Sequence, residues 1–202
     1  INDSGYGKQE LLGFQPSFLS GKAIEQPLSK KLWQTLAQGK SWSGEFCQLT
    51  KSGDKRWKRA HLYAIKNALG DIVNYAVIKE DITQLKEDEK QLRLASTVFQ
   101  TATEGVMITN GENNIVAVNQ AFSEITGYGQ SEVIGVNPKI LSSGHHSEAF
   151  YADMQQQLAS QGQWQGEICN RRKDGEVYYE WLSITALRKP WGEIESYVSL
   201  FS

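Results

Sequence analysis

The chain repeats itself at a fixed offset of 122 residues, so that Gly5-Tyr6-Gly7 returns as Gly127-Tyr128-Gly129 and Glu10 returns as Glu132. Gly13 and Pro16 return as Gly135 and Pro138, and Trp42, Gly44, Glu45 and Cys47 return as Trp164, Gly166, Glu167 and Cys169. Gly53, Gly70 and Tyr75 return as Gly175, Gly192 and Tyr197. One insertion around Ser142-Ser143 interrupts the register and is compensated before Trp164. Glycines held in register mean that the same backbone turns are made twice. A period of this length is domain-sized, which predicts two tandem copies of one domain rather than a solenoid. In this register Ile1 corresponds to Ser123 and Ser202 to Glu80. The first copy is therefore expected to lack the N-terminal strands of its fold, and the output of a longer parent protein to lie outside these residues.

Two units of roughly 80 and 100 residues can each bury a core, the shorter one marginally. A chain that is 40% hydrophobic and 22% charged has the composition of a globular domain. No run approaches the roughly 20 apolar residues of a membrane-spanning helix. A net charge of −2 leaves no basic footprint for nucleic acid. The two cysteines occupy one repeat position, which predicts duplicated strand residues rather than a disulfide, in keeping with a cytoplasmic protein.

Read along the second copy, Gly105 to Thr109 and Ile115 to Val118 are short apolar strands, and Asn110-Gly111-Glu112-Asn113-Asn114 joins them as a hairpin. Asn119 to Thr126 and Ser131 to Gly135 predict short helices. A longer helix over Ser147 to Ser160 carries Phe150, Met154 and Leu158 at four-residue spacing and ends at Gly162. Strands at Trp164–Arg172, Val177–Arg188 and Ile194–Phe201 complete an α+β unit, a five-stranded antiparallel sheet with short helices on one face. The first copy keeps the long helix (Glu25 to Gln38) and the strands Trp42–Thr50, Arg56–Ile65 and Ile72–Lys79. Between the copies, Asp81 to Ala102 predicts a linker helix with Leu85, Leu92 and Phe99 at seven-residue spacing, about 30 Å long. The predicted domains are 1–80, linker 81–102, and 103–202.

Asn119-Gln120-Ala121-Phe122, Thr126-Gly127-Tyr128, Glu132-Val133-Ile134-Gly135 and Asn137-Pro138 follow one another in an order met elsewhere. Trp164-Gln165-Gly166-Glu167 and Asn170-Arg171-Arg172-Lys173-Asp174-Gly175 extend that order. Together these stretches resemble the PAS domain, a sensory module of bacterial signalling proteins, and the resemblance spans essentially the whole chain. The wording is similar to PAS units that precede diguanylate cyclase (GGDEF) or cyclic-di-GMP phosphodiesterase domains, and to those of histidine kinases and flavin redox sensors. Asp81-Ile82-Thr83 matches the motif that ends such a domain and launches a signal-transmitting helix.

The resemblance implies a pocket between the sheet and the short helices. Strand alternation puts Trp164, Gly166, Ile168 and Asn170 on one face, and Tyr178, Glu180, Leu182 and Ile184 on the matching face of the next strand. Candidate cofactor-binding residues are thus Trp164, Asn170, Tyr178 and Glu180. An amide such as Asn170 can both donate to and accept from the pyrimidine edge of a flavin (FAD or FMN). In photoreceptor relatives a second asparagine stands at Glu180 and a glutamine at Phe201, so two of three polar contacts differ here. The reading that competes with a site makes Trp164 core and Asn170 a partner of local backbone.

Photoreceptor relatives also carry a reactive cysteine where this chain has Pro138 and Pro16, so no covalent flavin adduct is expected; Cys169 belongs to the opposite sheet face. Haem-binding relatives place a histidine on the long helix where this chain has Tyr151 and Leu28, which argues against haem. His145 and His146 read as exposed loop residues, and no metal site is expected. In the first copy Gln48, Lys58 and Lys79 replace Asn170, Glu180 and Phe201. Two inward lysines are costly in an apolar pocket unless they meet an anion or reach outward to solvent. Val177, Tyr179, Trp181 and Trp57 are expected on the convex face, where they would need a linker helix or a second copy as cover.

No phosphate loop, activated nucleophile or carboxylate pair supports catalysis. The function expected is a non-catalytic sensory and dimerisation module acting on an output domain of the same protein, with a small-molecule ligand and a homodimer as partners. The alternatives are a flavin redox sensor of a histidine kinase and a cofactor-free spacer.

Overall fold

The structure, a computed structural model, describes residues 5–13 and 26–202; Pro16 and Glu25 lie outside these, as does the side chain of Leu28. The chain divides into two compact units, with the boundary between Leu92 and Arg93. The first unit contains α1 (Lys8–Leu11), α2 (Gln26–Ala37), β1 (Trp42–Leu49), β2 (Lys55–Lys66) and β3 (Ile72–Asp81). A 19-residue helix, α3 (Thr83–Thr101), runs from the first unit into the second. There follow β4 (Gly105–Asn110), β5 (Ile115–Val118), α4 (Gln120–Thr126), α5 (Gln130–Val133), a 3-10 turn at Pro138–Leu141, α6 (Glu148–Gln161), β6 (Gln163–Arg171), β7 (Val177–Arg188) and β8 (Ile194–Phe201).

The second unit's sheet is fully antiparallel in the order β5-β4-β8-β7-β6. The first unit's sheet has three strands among the described residues, β1-β2-β3, which are the counterparts of β6-β7-β8. The repeat reaches individual bonds. Gly7 N donates to Glu10 Oε2 at 2.8 Å, and Gly129 N to Glu132 Oε2 at 2.8 Å. Lys51 Nζ reaches Glu10 and Lys173 Nζ reaches Glu132, both at 2.6 Å, and each lysine lies over the ring of Tyr6 or Tyr128. Gly5 and Gly127 are both left-handed, at φ of 74° and 76°, a conformation that costs a residue with a Cβ.

Asn119 is the hinge between sheet and helices in the second unit. Its buried Oδ1 accepts from Val106 N at 2.8 Å and from Phe122 N at 2.9 Å, while Nδ2 donates to Glu104 O. One amide thus caps α4 and satisfies the start of β4, which is why asparagine suits this corner. Phe122, Ile115, Val118 and Val133 are fully buried against Phe201 and Leu182, each such side chain contributing about 1.5–3 kcal/mol. Ser147 caps α6 through Phe150 N, and Gly162 ends it at a left-handed φ of 77°.

The two lone tryptophan-glycine steps repeat as well. Trp164 lies over Gly166, where an added Cβ would meet the indole at 2.9 Å, and Trp42 lies closer still over Gly44.

On α3 two members of the seven-residue series, Leu85 and Leu92, are exposed and the third, Phe99, is half-buried; Leu94 and Val98 are exposed beside them. No helix among the described residues is long and apolar enough to cross a membrane.

Candidate functional site: a cavity in the second unit and a bridged strand in the first

The inner face of the second sheet, with α6 and the 3-10 turn, encloses a cavity of about 910 Å³. Met107, Leu141, Met154, Leu158, Ile168 and Leu182 give it apolar walls. Asn170 and Glu180 supply polar groups, and Tyr151, Tyr197 and Ser199 also border it. A volume in this range suits a cofactor-sized small molecule.

Asn170 on β6 and Glu180 on β7 are both buried, at 7% and 4% exposure, and Asn170 Nδ2 donates to Glu180 Oε1 at 2.8 Å. Glu180 Oε2 and the Tyr178 hydroxyl are buried and have no hydrogen-bond partner among the described residues. Burial holds the Glu180 carboxyl above its ordinary range, partly offset by Asn170, then by the neighbouring Tyr178 hydroxyl and the Arg172 charge. Burial and then the adjacent Glu180 push the Tyr178 phenol up, and the Arg172 guanidinium sits 4.2 Å above the Tyr178 ring. An acid group in this setting costs least when it is neutral or when a donor reaches its free oxygen.

Of the four site residues expected from sequence, Asn170 and Glu180 line the cavity, and Trp164 and Tyr178 do not. Trp164 belongs to the core, with its ring over Gly166 and edge-on to Phe150 at 5.8 Å. Tyr178 is turned toward Arg172 at the end of β7. Asn170 does satisfy a local group, but that group is the Glu180 side chain rather than backbone. Phe201 and Tyr151 are both in the cavity lining.

His146 departs from the expectation of an exposed loop residue. It is half-buried, its Nε2 accepts from Cys169 N at 2.8 Å, and its ring stacks on Phe150 at 4.1 Å. The segment that the sequence flags as an insertion explains this. Ser142 bridges to Asn170 backbone to backbone, Ser143 Oγ donates to Cys169 O, and Arg171 donates to the carbonyls of Ser142 and Ser143. These bonds cover the free edge of β6 beside the cavity, a place where unpaired strand groups otherwise invite association. Cys169 is buried, yet it does not line the cavity.

In the first unit the inner-face position equivalent to Glu180 is Lys58, 4% exposed, and its ammonium meets Asp81 Oδ2 at 2.9 Å. The anion that an inward lysine requires is therefore supplied by the chain itself. Asp81 Oδ1 also accepts from Thr83 N at 2.9 Å, and Thr83 Oγ1 accepts from Trp57 N at 3.0 Å. Ile82 N donates to Trp57 O at 2.9 Å, and Ile82 is buried. Thr83, through its side chain and backbone, and then Lys58 hold the Asp81 carboxyl far below the ordinary range. Lys79, exposed overall at the edge of the same face, is pulled down to about 8 by desolvation of its ammonium and then by Lys58. The start of α3 is thus tied to both backbone groups of Trp57, next to an inner-face lysine.

On the outer faces, Val177, Tyr179 and Trp181 are exposed. Trp57 is less so, at 39%, and Lys86 from the first turn of α3 lies 5.9 Å over its ring while bridging to Glu45 at 2.9 Å.

A model described as the PAS fold matches residues 94–202, and one described as the PAS domain matches residues 1–84. The chain belongs to the PAS family. A nitrogen fixation regulatory protein of Klebsiella oxytoca is 32% identical over 104 residues, covering 52% of this chain and 21% of that protein. A blue-light-activated histidine kinase of Rhizobium johnstonii is 30% identical over 110 residues, covering 53% of this chain and 31% of the relative. A biofilm dispersion protein of Pseudomonas aeruginosa is 24% identical over 157 residues, 76% of this chain and 37% of the relative. The chain therefore spans less than half the length of these relatives. Among solved structures, the PAS domain of a protein from Colwellia psychrerythraea superposes with a TM-score of 0.53 at 18% identity, over 55% of this chain and 95% of that one. These two units are PAS sensory domains of a kind found in bacterial signalling proteins.

Proposed function

We propose that the chain is a non-catalytic sensory region in which the second PAS unit takes up a small molecule and its occupancy or redox state biases an output domain of the same protein. The observation that carries this reading is the cavity of about 910 Å³, apolar along its walls and bordered by the paired Asn170 and Glu180 side chains. A pocket with a few convergent polar groups is where a ligand gains orientation as well as burial.

A flavin is the most specific candidate, and the residues fit one in part. The Asn170 amide and the Glu180 carboxyl would hold its pyrimidine edge, and Leu141, Met154 and Leu182 would pack on the rings. Phe201, where photoreceptor relatives carry glutamine, leaves the third contact apolar. A bound flavin would supply a redox centre, and the protein side chains would set its binding and environment. Pro138 at the position of the photoreceptors' reactive cysteine speaks for reversible redox sensing without a covalent adduct.

Transmission would run through helices such as α3, whose start Asp81, Ile82 and Thr83 anchor to the first sheet. A change of sheet packing would alter the helix that leaves it, provided the ligand binds the two states unequally. The exposed Leu85, Leu92 and Val98 on α3 support a homodimer that pairs these helices. We favour cyclic-di-GMP synthesis or hydrolysis as the output, and a cytoplasmic setting. A histidine kinase output is the second reading, favoured by the kinase among the relatives.

The test is an absorbance spectrum of the purified parent protein together with mass spectrometry of whatever denaturation releases. Flavin bands near ~370 and ~450 nm that fall at least tenfold in Asn170→Ala would establish the site. A featureless spectrum with no released molecule would leave the cofactor-free spacer.

A further inference from the structure

We infer that residues 142–146 form an acid-released strap: the neutral imidazole of His146 latches it onto the edge of β6, and protonation of that ring lets it go. The inference goes beyond the reading above and holds whether or not the cavity carries a ligand.

The strap docks on consecutive residues of β6. Ser142 pairs with Asn170 through the backbone, and Arg171 donates to the carbonyls of Ser142 at 3.1 Å and Ser143 at 2.9 Å. Between them, both main-chain groups of Cys169 are answered by strap side chains. Ser143 Oγ donates to the carbonyl at 2.5 Å, and His146 Nε2 accepts from the N–H at 2.8 Å. The strap's ends are fixed by buried Leu141 and by Ser147, the cap of α6. Its middle has room: Gly144 is left-handed at φ 82°, and a Cβ there would meet nothing within 4 Å.

The His146 bond dictates the state of the ring. Nε2 accepts only through a free lone pair, so the proton sits on Nδ1 and the imidazole is neutral. In the doubly protonated ring both nitrogens donate, and the Cys169 N–H would face another N–H. The strap would lose that bond and leave a donor unmet at a strand edge. The ring's other contacts are Phe150, stacked at 4.1 Å, and Tyr151, edge-on at 6.2 Å. The face of Phe150 can take a cation, but it offers no acceptor to the Cys169 N–H. The charged and titratable groups around His146 do not replace the bond either. On α6, Glu148 in the first turn is exposed, and the positive end of the helix dipole opposes a cation at this position. On β6, Arg171 already brings one cation to the strap, and in the strap itself His145 is exposed. Ser142 also lines the cavity, so release would open the cavity wall beside Asn170 as well as uncover the edge of β6. Protonation of a histidine at a packed contact is a general way to switch that contact.

Hydrogen exchange of the 202-residue chain, read amide by amide by NMR, tests the latch. The protection factor of the Cys169 amide is expected to fall about tenfold from about pH 7.5 to about pH 5.5, the range in which histidine changes charge. The Val106 amide, held by the Asn119 side chain, is expected to keep its protection and controls for general loosening. His146→Gln offers an amide oxygen near the place of Nε2 and takes up no proton there, so its Cys169 amide should stay protected across the range. His146→Ala should leave that amide unprotected at both ends. His145→Ala and His61→Ala, at the other two of the chain's three histidines, should keep the fall. At the higher pH, nitrogen–proton correlation spectra should show His146 protonated at Nδ1. A proton on Nε2, an unchanged Cys169 protection factor, an equal fall in His146→Gln or a parallel fall at Val106 overturns the latch. Should His146→Ala not fold, the tautomer and His146→Gln decide by themselves. No step of the test involves a ligand, so its failure leaves the proposed function standing, and an empty cavity leaves the latch standing.

Discussion

The two PAS units differ most where their folds agree best. On the middle strand of each inner face the register is the same, yet the first unit holds Lys58 against Asp81 and the second holds Glu180 against Asn170, with the Tyr178 hydroxyl beside the same carboxyl. In the first unit the polar group is closed on the chain's own exit segment, so the inner face is committed to holding α3. In the second unit the polar group is left open toward a cavity. A duplicated domain can in this way diverge: one copy ties its inner face to a helix, and the other leaves polar groups at the border of a cavity.

The largest test of that divergence is Asp81→Ala. It removes a partner of the buried Lys58 ammonium and the cap of α3 together, and should cost about 2–4 kcal/mol in urea unfolding. A loss below about 0.5 kcal/mol would mean that the bridge holds nothing. Because Asp81 is depressed in the folded state, its contribution is present above its unfolded value near ~3.8 and is lost as the pH falls through the lower folded value. An acid titration of the unmodified chain against Asp81→Ala reads that difference directly.

Next in size are the glycines under the two tryptophans. Gly44→Ala and Gly166→Ala should each cost about 1–3 kcal/mol through overpacking, Gly44→Ala the more, because Trp42 lies closer to its glycine than Trp164 does. Equal melting temperatures for both variants and the unmodified chain would break the argument.

Glu180→Gln has a smaller effect of opposite sign. It should stabilise the ligand-free second unit by about 1 kcal/mol at neutral pH, since an amide carries no charge to bury. The folded-state value of Glu180 is raised, so the unmodified chain is favoured relative to the variant at low pH. That advantage is lost as pH rises above the unfolded value near ~4.3 toward the folded one. A stability difference that stays flat from pH 4 to pH 8 would show that Glu180 does not titrate in the way its burial demands.

The least effect is expected of Lys86→Ala. Its ion pair with Glu45 and its contact with Trp57 are near the surface and screened by solvent, so the melting temperature should be the least shifted of these variants.

Much of this was legible in the chain. The repeat announced two units because glycines such as Gly5 and Gly127 must recur where a left-handed turn recurs. Strand alternation put Asn170 and Glu180 on one face, and the bounds of α6 followed from Ser147 and Gly162. Alternation is silent, however, on how far along a face a pocket extends. It grouped Trp164 and Tyr178 with the site, although the close approach over Gly166 commits the one to the core, and the other, its ring under Arg172 and its hydroxyl beside Glu180, stays out of the cavity lining. It also read His146 as loop, because a histidine that closes a strand edge does so through a partner, Cys169 N, 23 residues away. The insertion at Ser142-Ser143 was visible as a break in register; its role as cover for β6 was not.

By itself the sequence determined the fold, the duplication and the residue types on each inner face, since these depend on local turns and on a periodicity of two. Tertiary structure alone decided which of those polar groups are answered. Lys58 is answered by Asp81, and Glu180 by Asn170 with the Tyr178 hydroxyl beside it. Satisfaction of a buried group depends on what arrives from distant strands, and no local pattern encodes that.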